Sequence, residues 1–204
     1  FNELPNKFVL KATHGCATNI ICDDKSKLDI PLTKKKVSKW MKQTTGLSTG
    51  EMHYKYIKPR IIIERYIGND DGTLPIDYKI FCFNGKPKFV CVYSDRDRET
   101  LSTKRAFFDF NWEPLNITTK AFYTDPKRFK RPDTLTKMYE VAKRLSKPFP
   151  FVRVDLYEYR GEVIFGELTF TPTGGIIKAF SDEANAMFGE MLELPRKSKT
   201  RKYI

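Results

Sequence analysis

The dipeptide Asn84-Gly85 constrains the fold of this chain more than any other feature, because it stands between two runs of alternating apolar residues. Asn-Gly is the pair that best adopts the positive φ angles of a two-residue type I′ turn, and such a turn joins antiparallel strands. The flanking runs, 77–83 and 88–93, have the length and residue types of strands. We therefore expect a β-hairpin at the centre of the chain.

Strand-like runs outnumber helical ones along the rest of the chain. Further strands are expected at 7–12, 20–22, 60–67, 106–110, 151–157 and 162–170. Helical spacing predicts a helix capped by Thr33 that closes near Gly46, a second helix from Thr134 that Pro148 stops, and a short third helix at 183–189. Because hairpins rather than β-helix-β units connect the strands, the predicted fold class is α+β with antiparallel sheets.

The charge of the chain points to an anionic partner. The sequence has 37 Lys+Arg against 25 Asp+Glu, which gives a formal net charge of +12. Nucleic acid, nucleotide phosphate, an acidic sugar and a lipid headgroup all fit such a charge. No apolar run reaches the roughly 18 residues that a membrane span needs, and nothing resembles a signal peptide, so we expect a cytoplasmic protein.

The last predicted hairpin carries the residues that most suggest chemistry. Because side chains alternate along a strand, Arg153 and Asp155 share one face, and Phe165 shares the facing surface of the return strand with Glu167. A tight turn brings Asp155 beside Glu167, and a three-residue turn would oppose them directly. Like charges so placed destabilise a sheet unless a cation lies between them, and Mg²⁺ suits carboxylates. The alternative is a solvent-exposed polar face.

Three further positions extend this picture. Lys11 ends an apolar strand, and residues 14–19 after it could fold over phosphates. Glu64 interrupts an apolar run where a strand ends, a place from which a carboxylate and backbone groups can meet a base such as adenine. Lys79 follows Asp77 on one face of its strand. A protein kinase needs its Gly-rich loop before the strand lysine, and a Walker loop is absent, so neither class fits.

The order of these features, and several longer motifs, resemble one protein family. The motifs are FVLKATHG at 8–15, HYKYIKPR at 53–60, DYKIFCFNGKPK at 77–88, FPFVRVDLY at 149–157 and FGELTFTP at 165–172. They resemble the TupA-like branch of the ATP-grasp superfamily, which is named for teichuronopeptide biosynthesis and is found among bacterial capsule and cell-surface polysaccharide genes. The resemblance covers nearly the whole chain.

The resemblance implies a fold, an activity and a nucleotide site. ATP-grasp enzymes hold ATP between two α+β subdomains with antiparallel sheets, and they join a carboxylate to an amine through an acyl phosphate. By motif, a strand lysine contacts the α- and β-phosphates below a mobile loop, and a glutamate and nearby backbone bind adenine. The residues so implied at ATP are Lys11, His14, Gly15, Glu64, Ile67, Asp71 and Lys79.

The resemblance also implies a metal site and a catalytic residue. Asp155 and Glu167 would hold Mg²⁺, and Thr169 stands where many members have Asn, so its shorter oxygen departs from the family pattern. Arg153 would stabilise the transferred phosphoryl group and the acyl phosphate. ATP and Mg²⁺ are the implied cofactors.

Domain limits follow from the same resemblance. We expect a small subdomain at 1–66 and a large subdomain at 67–204 that ends in a basic tail. ATP-grasp enzymes usually carry a domain before the first strand lysine, whereas ten residues precede Lys11 and the chain starts at Phe1 without methionine. We therefore expect that the chain is part of a longer protein and largely lacks that N-terminal domain.

The implied substrates are an acidic sugar or polysaccharide carboxylate, such as a uronic acid of a capsular polysaccharide or its precursor, and a small amine. Arg96, Arg98 and Arg105 are candidates for binding the acid, with ordinary surface charge as the alternative. Two other functions stay open. One is a glycosyltransferase of polysaccharide biosynthesis, and the other is a basic nucleic-acid-binding module that uses lysines 34–36 and residues 128–131. Nucleic acid is not the expected partner.

Overall fold

The structure, a computed structural model, describes residues 1–43, 46, 50–69, 73–94 and 104–194. The chain forms two compact units. Unit 1 contains Phe1–Leu74 and Thr171–Ile176, and unit 2 contains Pro75–Phe170 and Ile177–Ile204. The division that we predicted between residues 66 and 67 stays a prediction. Within the described parts of the chain, no helix is both long enough and apolar enough to cross a bilayer.

Within the described residues, unit 1 has a three-stranded antiparallel sheet and one α-helix. Its elements are β1 Phe8–Ala12, β2 Asn19–Cys22, α1 Ile30–Trp40 and β3 Ile61–Arg65, and the strand order is β2-β1-β3. Alternation in β1 buries Phe8 and Leu10 on one face, where Cys22 and the helix residues Val37 and Trp40 join them. The opposite face of β1 carries Lys11 and remains partly exposed.

Helix α1 corrects one sequence prediction. It begins at Ile30 rather than after Thr33, because the Asp29 side chain caps it by accepting a 2.8 Å hydrogen bond from the Leu32 amide. Pro31 then stands in the first turn, where its missing N–H costs nothing. The helix ends at Trp40, several residues before Gly46.

The described part of unit 2 has a five-stranded antiparallel sheet and two α-helices. Its elements are β4 Asp77–Phe83, β5 Lys86–Ser94, β6 Lys104–Phe108, α2 Leu135–Ser146, β7 Phe151–Tyr159, β8 Glu162–Thr169 and α3 Asp182–Met191. The strand order is β6-β5-β4-β7-β8. The Asn84-Gly85 hairpin is confirmed, and both residues have positive φ, 50° and 74°. The expected helices from Thr134 and near 183–189 are confirmed as α2 and α3.

One face of this sheet is a continuous apolar core. Even-numbered residues of β4, β5 and β7 point to it, and the amphipathic helix α2 covers it with Leu135, Met138 and Ala142. The fully buried strand residues there are Ile80, Cys82, Val90, Val92, Phe108, Val152, Val154 and Leu156. Burial raises the pKa of the Cys82 thiol to about 12, so this cysteine is an inert part of the core.

The other face divides into two halves along the strands. One end is aromatic, and α3 covers it; we call it the aromatic half, and it contains Phe81, Phe83, Phe89, Phe107, Phe151, Phe180 and Phe188. The other end is ionic; we call it the charged half, and it contains Asp77, Lys79, Tyr93, Arg105, Arg153, Asp155, Glu167 and Thr169. The same strands therefore build a packed core and a polar surface within a few residues.

Candidate functional site

Asp155 lies at the centre of the charged half. Its carboxylate is only 2% exposed, and it accepts hydrogen bonds from two cations. Arg153 donates from Nε to Oδ1 at 2.7 Å and from Nη2 to Oδ2 at 2.8 Å. Lys79, which pairs with Asp155 across the β4–β7 ladder, donates from Nζ to Oδ2. A buried carboxylate held in this way fixes the positions of both cations.

Lys79 is itself shared between two carboxylates. Its Nζ lies 2.8 Å from Oδ2 of Asp77, two residues earlier on β4, and Asp77 is also only 2% exposed. The same nitrogen stands 5.2 Å from the centre of the Tyr93 ring on β5, which is a cation–π distance. Asp77 and Tyr93 are site residues that the sequence analysis did not select. The Asp-x-Lys spacing was visible in the sequence, whereas nothing in the sequence marked Tyr93.

Arg153 joins Asp155 to the last strand. Its Nη2 also donates to Oγ1 of Thr169, at 3.0 Å, because the two residues are paired across the β7–β8 ladder. Burial by itself disfavours the guanidinium charge, but the Asp155 carboxylate outweighs that cost and, with Glu167, raises the pKa of Arg153 above its usual value. Arg153 is therefore a permanent cation with a fixed orientation.

Glu167 lies directly opposite Asp155, although the turn is one residue shorter than the three-residue turn expected for that arrangement. The turn has two residues, Arg160 and Gly161, since Tyr159 pairs with Glu162. An unbroken ladder from that turn would place Gly166 opposite Asp155. A β-bulge between Asp155 and Leu156 shifts the register by one residue and brings Glu167 opposite instead.

Gly166 is the residue that the bulge requires. A Cβ atom there would lie 3.0 Å from the carbonyl oxygen of Asp155 and 2.9 Å from Cε2 of Tyr157, so these neighbours would have to shift to admit a side chain. The bulge also corrects the predicted alternation on β8. Phe165 pairs with Leu156, and it lies on the face opposite to Glu167 rather than on the same one.

The donors of the charged half fit a hard cation. Its formal charges balance, because three positive charges, from Lys79, Arg105 and Arg153, face three negative ones, from Asp77, Asp155 and Glu167, which gives 3 − 3 = 0. Three described nitrogen atoms donate to Asp155. Because a carboxylate offers about four lone pairs, these three bonds do not use its full capacity to accept.

The described residues contain no ready-made group of three or more His, Cys, Asp or Glu residues for a metal ion. Mg²⁺ does not need one, because it commonly uses one or two carboxylates and completes its shell with water and phosphate oxygens. Asp155 and Glu167, with the Thr169 hydroxyl beside them, supply that kind of donor set.

Unit 1 carries the other predicted nucleotide residues. Lys11 and Glu64 share the partly exposed face of its sheet, and Nζ of Lys11 lies 2.5 Å from Oε2 of Glu64. The pairing of Val9 with Glu64 places the glutamate diagonally across from Lys11. Ile67 follows β3 and is half-buried. The structure thus brings a lysine and a glutamate together, and their contacts with ATP remain predictions.

His14 and Gly15 lie in the turn after β1. The His14 ring is 4% exposed, and its Nε2 donates to the Trp40 carbonyl at 2.9 Å. This bond ties the start of the predicted phosphate loop to the end of α1. Within the described residues, Nδ1 of His14 is buried without a hydrogen-bond partner. The ATP-binding role of His14 and Gly15 stays a prediction.

Three predicted residues, Asp71, Arg96 and Arg98, lie outside the described residues. Arg105, the remaining candidate for binding the acid, is on β6 and belongs to the charged half.

The chain thus has two α+β units with antiparallel sheets. One of these sheets bears buried cations held by opposed carboxylates. A family model described as TupA-like ATPgrasp matches residues 1–193. The chain therefore belongs to the TupA-like ATP-grasp family, and the predicted ATP-grasp fold class is confirmed.

Solved structures of two ligases are also similar to this chain. D-alanine–D-alanine ligase from Bacillus anthracis, complexed with ATP, matches 92% of this chain and 49% of its own, with 16% identity and a TM-score of 0.48. ATP-grasp ligase PsnB, complexed with a phosphomimetic variant of its minimal precursor, Mg and ADP, matches 91% and 47%, with 9% identity and a TM-score of 0.42. This chain spans about half the length of each. A search of curated proteins gave no match.

Proposed function

We propose that this chain is the ATP-binding and catalytic part of an ATP-dependent carboxylate–amine ligase. The observation that carries the proposal is the buried cluster of Lys79, Arg153 and Asp155, with Glu167 opposite Asp155, in a chain of the TupA-like ATP-grasp family. Fixed cations beside paired carboxylates are what phosphoryl transfer needs, since that reaction depends mainly on positioning and charge neutralisation.

The reaction proceeds in two steps. An oxygen of the substrate carboxylate attacks the γ-phosphorus of ATP, and ADP leaves, which gives an acyl phosphate. The amine nitrogen then attacks the acyl carbon, loses a proton and expels inorganic phosphate, which gives the amide. Neither step needs a nucleophilic side chain, because the two substrates provide both nucleophiles.

Five residues of the charged half have a role in this proposal. Arg153 and Lys79 neutralise the oxygens of the transferred phosphoryl group, and Asp155 holds both cations in place. Asp155, Glu167 and Thr169 would hold Mg²⁺, which would offset negative charge on the ATP phosphates when bound. In unit 1, Lys11 binds phosphates and Glu64 binds the adenine amino group. The proposed acid is a uronic acid of a cell-surface polysaccharide or its precursor, and the proposed amine is small.

Glu167→Gln tests this proposal with little risk to the fold, because Glu167 is exposed. The matched control is Glu162→Gln, an exposed glutamate at the other end of the same strand. We expect Glu167→Gln to lower Mg²⁺-dependent ATP consumption, with acid and amine present, by about 100-fold or more. Glu162→Gln should keep the turnover of the unmodified protein. Phosphate release measured over a panel of acid and amine pairs provides the assay.

Two results would contradict the proposal. One is equal turnover of both variants, which would remove Glu167 from the site. The other is a thermal-shift experiment in which oligonucleotides raise the unfolding temperature and Mg·ATP does not, since a ligand stabilises the state that binds it. That outcome would favour the nucleic-acid-binding alternative.

A further inference from the structure

A pocket in unit 2 adjoins the charged half. It has a volume of about 340 Å³, and it lies between β6 and the chain that follows it up to residue 126. The residues that matter for recognition are Arg105, Phe107, Asn116, Thr118, Tyr123 and Thr124. The lining therefore combines one cation, an amide and hydroxyl groups with aromatic surface.

Arg105 is held in an orientation suited to binding an anion. Its guanidinium carbon lies 5.1 Å from the centre of the Tyr93 ring and 5.6 Å from that of Phe122. Nη1 also donates to the Tyr93 hydroxyl at 3.3 Å. A planar guanidinium in contact with aromatic rings keeps its N–H groups at its edge, and such an edge matches the two oxygens of a carboxylate.

Tyr93 connects this pocket with the phosphoryl-transfer residues. Its ring contacts the Arg105 guanidinium at 5.1 Å and the Lys79 ammonium at 5.2 Å. Across the ladders, Tyr93 pairs with Arg105 on β6 and with Asp77 on β4. A ligand bound at Arg105 therefore lies one side chain away from Lys79, within the same unit.

The size and chemistry of the pocket restrict its ligand. A volume of about 340 Å³ is at the small end of the range for ligand pockets, enough for one sugar ring. The described lining includes no acidic side chain, so it offers no counter-charge to the ammonium group of an amino acid. Hydroxyl and amide groups, in contrast, match the hydroxyls of a sugar.

We propose that this pocket binds the acid substrate, a hydroxylated carboxylate of about one sugar ring, and that Arg105 binds the carboxylate to be activated. That the bound acid is a substrate rests on the proposed ligase function, but the binding of the acid to the pocket does not. It deepens that function by giving the acid a place, a size limit and a residue that selects its charge.

The test measures binding of D-glucuronate and of D-glucose, a neutral sugar with the same ring, to the full chain by calorimetry. Unmodified protein should bind glucuronate at least about 10-fold more tightly than glucose, and Arg105→Gln should bring the two affinities together. Arg144→Gln, which removes an exposed arginine from α2 on the other face, controls for the net charge of +12. It should leave the preference unchanged.

A second variant keeps the proposal testable if Arg105→Gln fails to fold. Tyr123 is 64% exposed, so Tyr123→Ala keeps the fold while removing one wall of the pocket, and it should weaken binding of glucuronate several-fold. Two results would overturn the proposal. One is the absence of saturable glucuronate binding up to about 50 mM. The other is an unchanged preference for glucuronate in Arg105→Gln.

Failure of the pocket and failure of the ligase proposal give different results. Phosphate release that requires an acid, but whose KM for that acid is unaffected by Arg105→Gln, would remove the pocket and keep the ligase. Binding of glucuronate that depends on Arg105, without ATP consumption for any amine, would keep the pocket and remove the ligase.

Discussion

The aromatic half and the charged half lie on the same face of one sheet and are built by the same strands, but different interactions hold them together. In the aromatic half, Phe81 is surrounded by rings, with the Phe89 centroid at 4.6 Å and the Phe180 centroid at 5.9 Å. In the charged half, two residues earlier on β4, Lys79 is surrounded by carboxylates. The first half gains free energy by removing apolar surface from water, whereas the second gives up solvation to hold ions in place.

This difference shows how the strands position reactive groups. A strand fixed at its aromatic end cannot slide or rotate without breaking close packing. Its other end therefore presents Lys79, Asp155 and Arg153 in a single arrangement. The rigidity of the charged half comes from its neighbour as much as from its own hydrogen bonds.

The largest effect on stability should come from Phe81→Ala. Removing a buried ring from the aromatic half should lower the free energy of unfolding by about 4 kcal/mol, from lost burial and from the cavity left behind. Urea unfolding measures this change. Phe165→Ala is the control, because that ring is 54% exposed and should lose less stability. Comparable losses in Phe165→Ala and Phe81→Ala would contradict the prediction that burial of Phe81 sets the size of its effect.

Lys79→Met should cost slightly less, about 3 kcal/mol, because it leaves Asp77 and Asp155 buried with fewer counter-charges. Urea unfolding measures this loss. Lys137→Met, which removes an exposed lysine 4.0 Å from Glu162, should change stability little. A loss in Lys79→Met as small as that in Lys137→Met would contradict the ionic account.

Gly166→Ala should have an intermediate effect, lowering the free energy of unfolding by about 1–2 kcal/mol through the clash with Asp155 and Tyr157. If the bulge sets the carboxylate pair, Mg²⁺-dependent turnover should fall further than stability alone explains. Gly189→Ala is the control, because a Cβ in that exposed turn of α3 meets nothing within 4 Å and should stabilise the helix slightly. Unchanged turnover in Gly166→Ala would separate the bulge from function.

The smallest effect concerns Tyr93, at the border of the two halves. Burial raises its pKa to about 12 from 10.0. The folded state therefore holds the phenol proton more tightly than the unfolded state, and this contribution to stability is complete below pH 10 and is lost as the pH rises to about 12. A pH titration of tyrosinate absorbance, compared with Tyr93→Phe, measures the value. A difference spectrum with its midpoint near pH 10 would contradict it.

Local signals predicted much of the fold. Asn84-Gly85 marked its hairpin because the turn is encoded by two adjacent residues with positive φ. Helix α2 was visible from the spacing of Leu135, Met138 and Ala142, which fill one face. The start of α1 was misplaced because Thr33 and Asp29 are both good caps, and only the hydrogen bond that the Leu32 amide donates to the Asp29 carboxylate distinguishes them.

The candidate site was predictable in its residues but not in its connections. Arg153 and Asp155 are two residues apart on one strand, so their shared face followed from alternation. The bond from Lys79 to Asp155 joins residues 76 apart, and no periodicity in the sequence reveals which strand will lie beside β4. The bulge at Gly166 was hidden for another reason. A glycine within a strand allows a bulge without requiring it, so the register of Glu167 depended on the whole hairpin.

The pairing of β4 with β7 also determines when the sheet can be completed during protein synthesis. Every residue of β4 is buried, and β7 covers one edge of it. With Lys79 and Asp155 separated by 76 residues, a ribosome working at ~5–20 residues per second leaves the β4–β5 hairpin without that partner for roughly 4–15 s. The nascent chain must shield an open strand edge during this interval, and its ionic cluster forms only when the final hairpin has emerged.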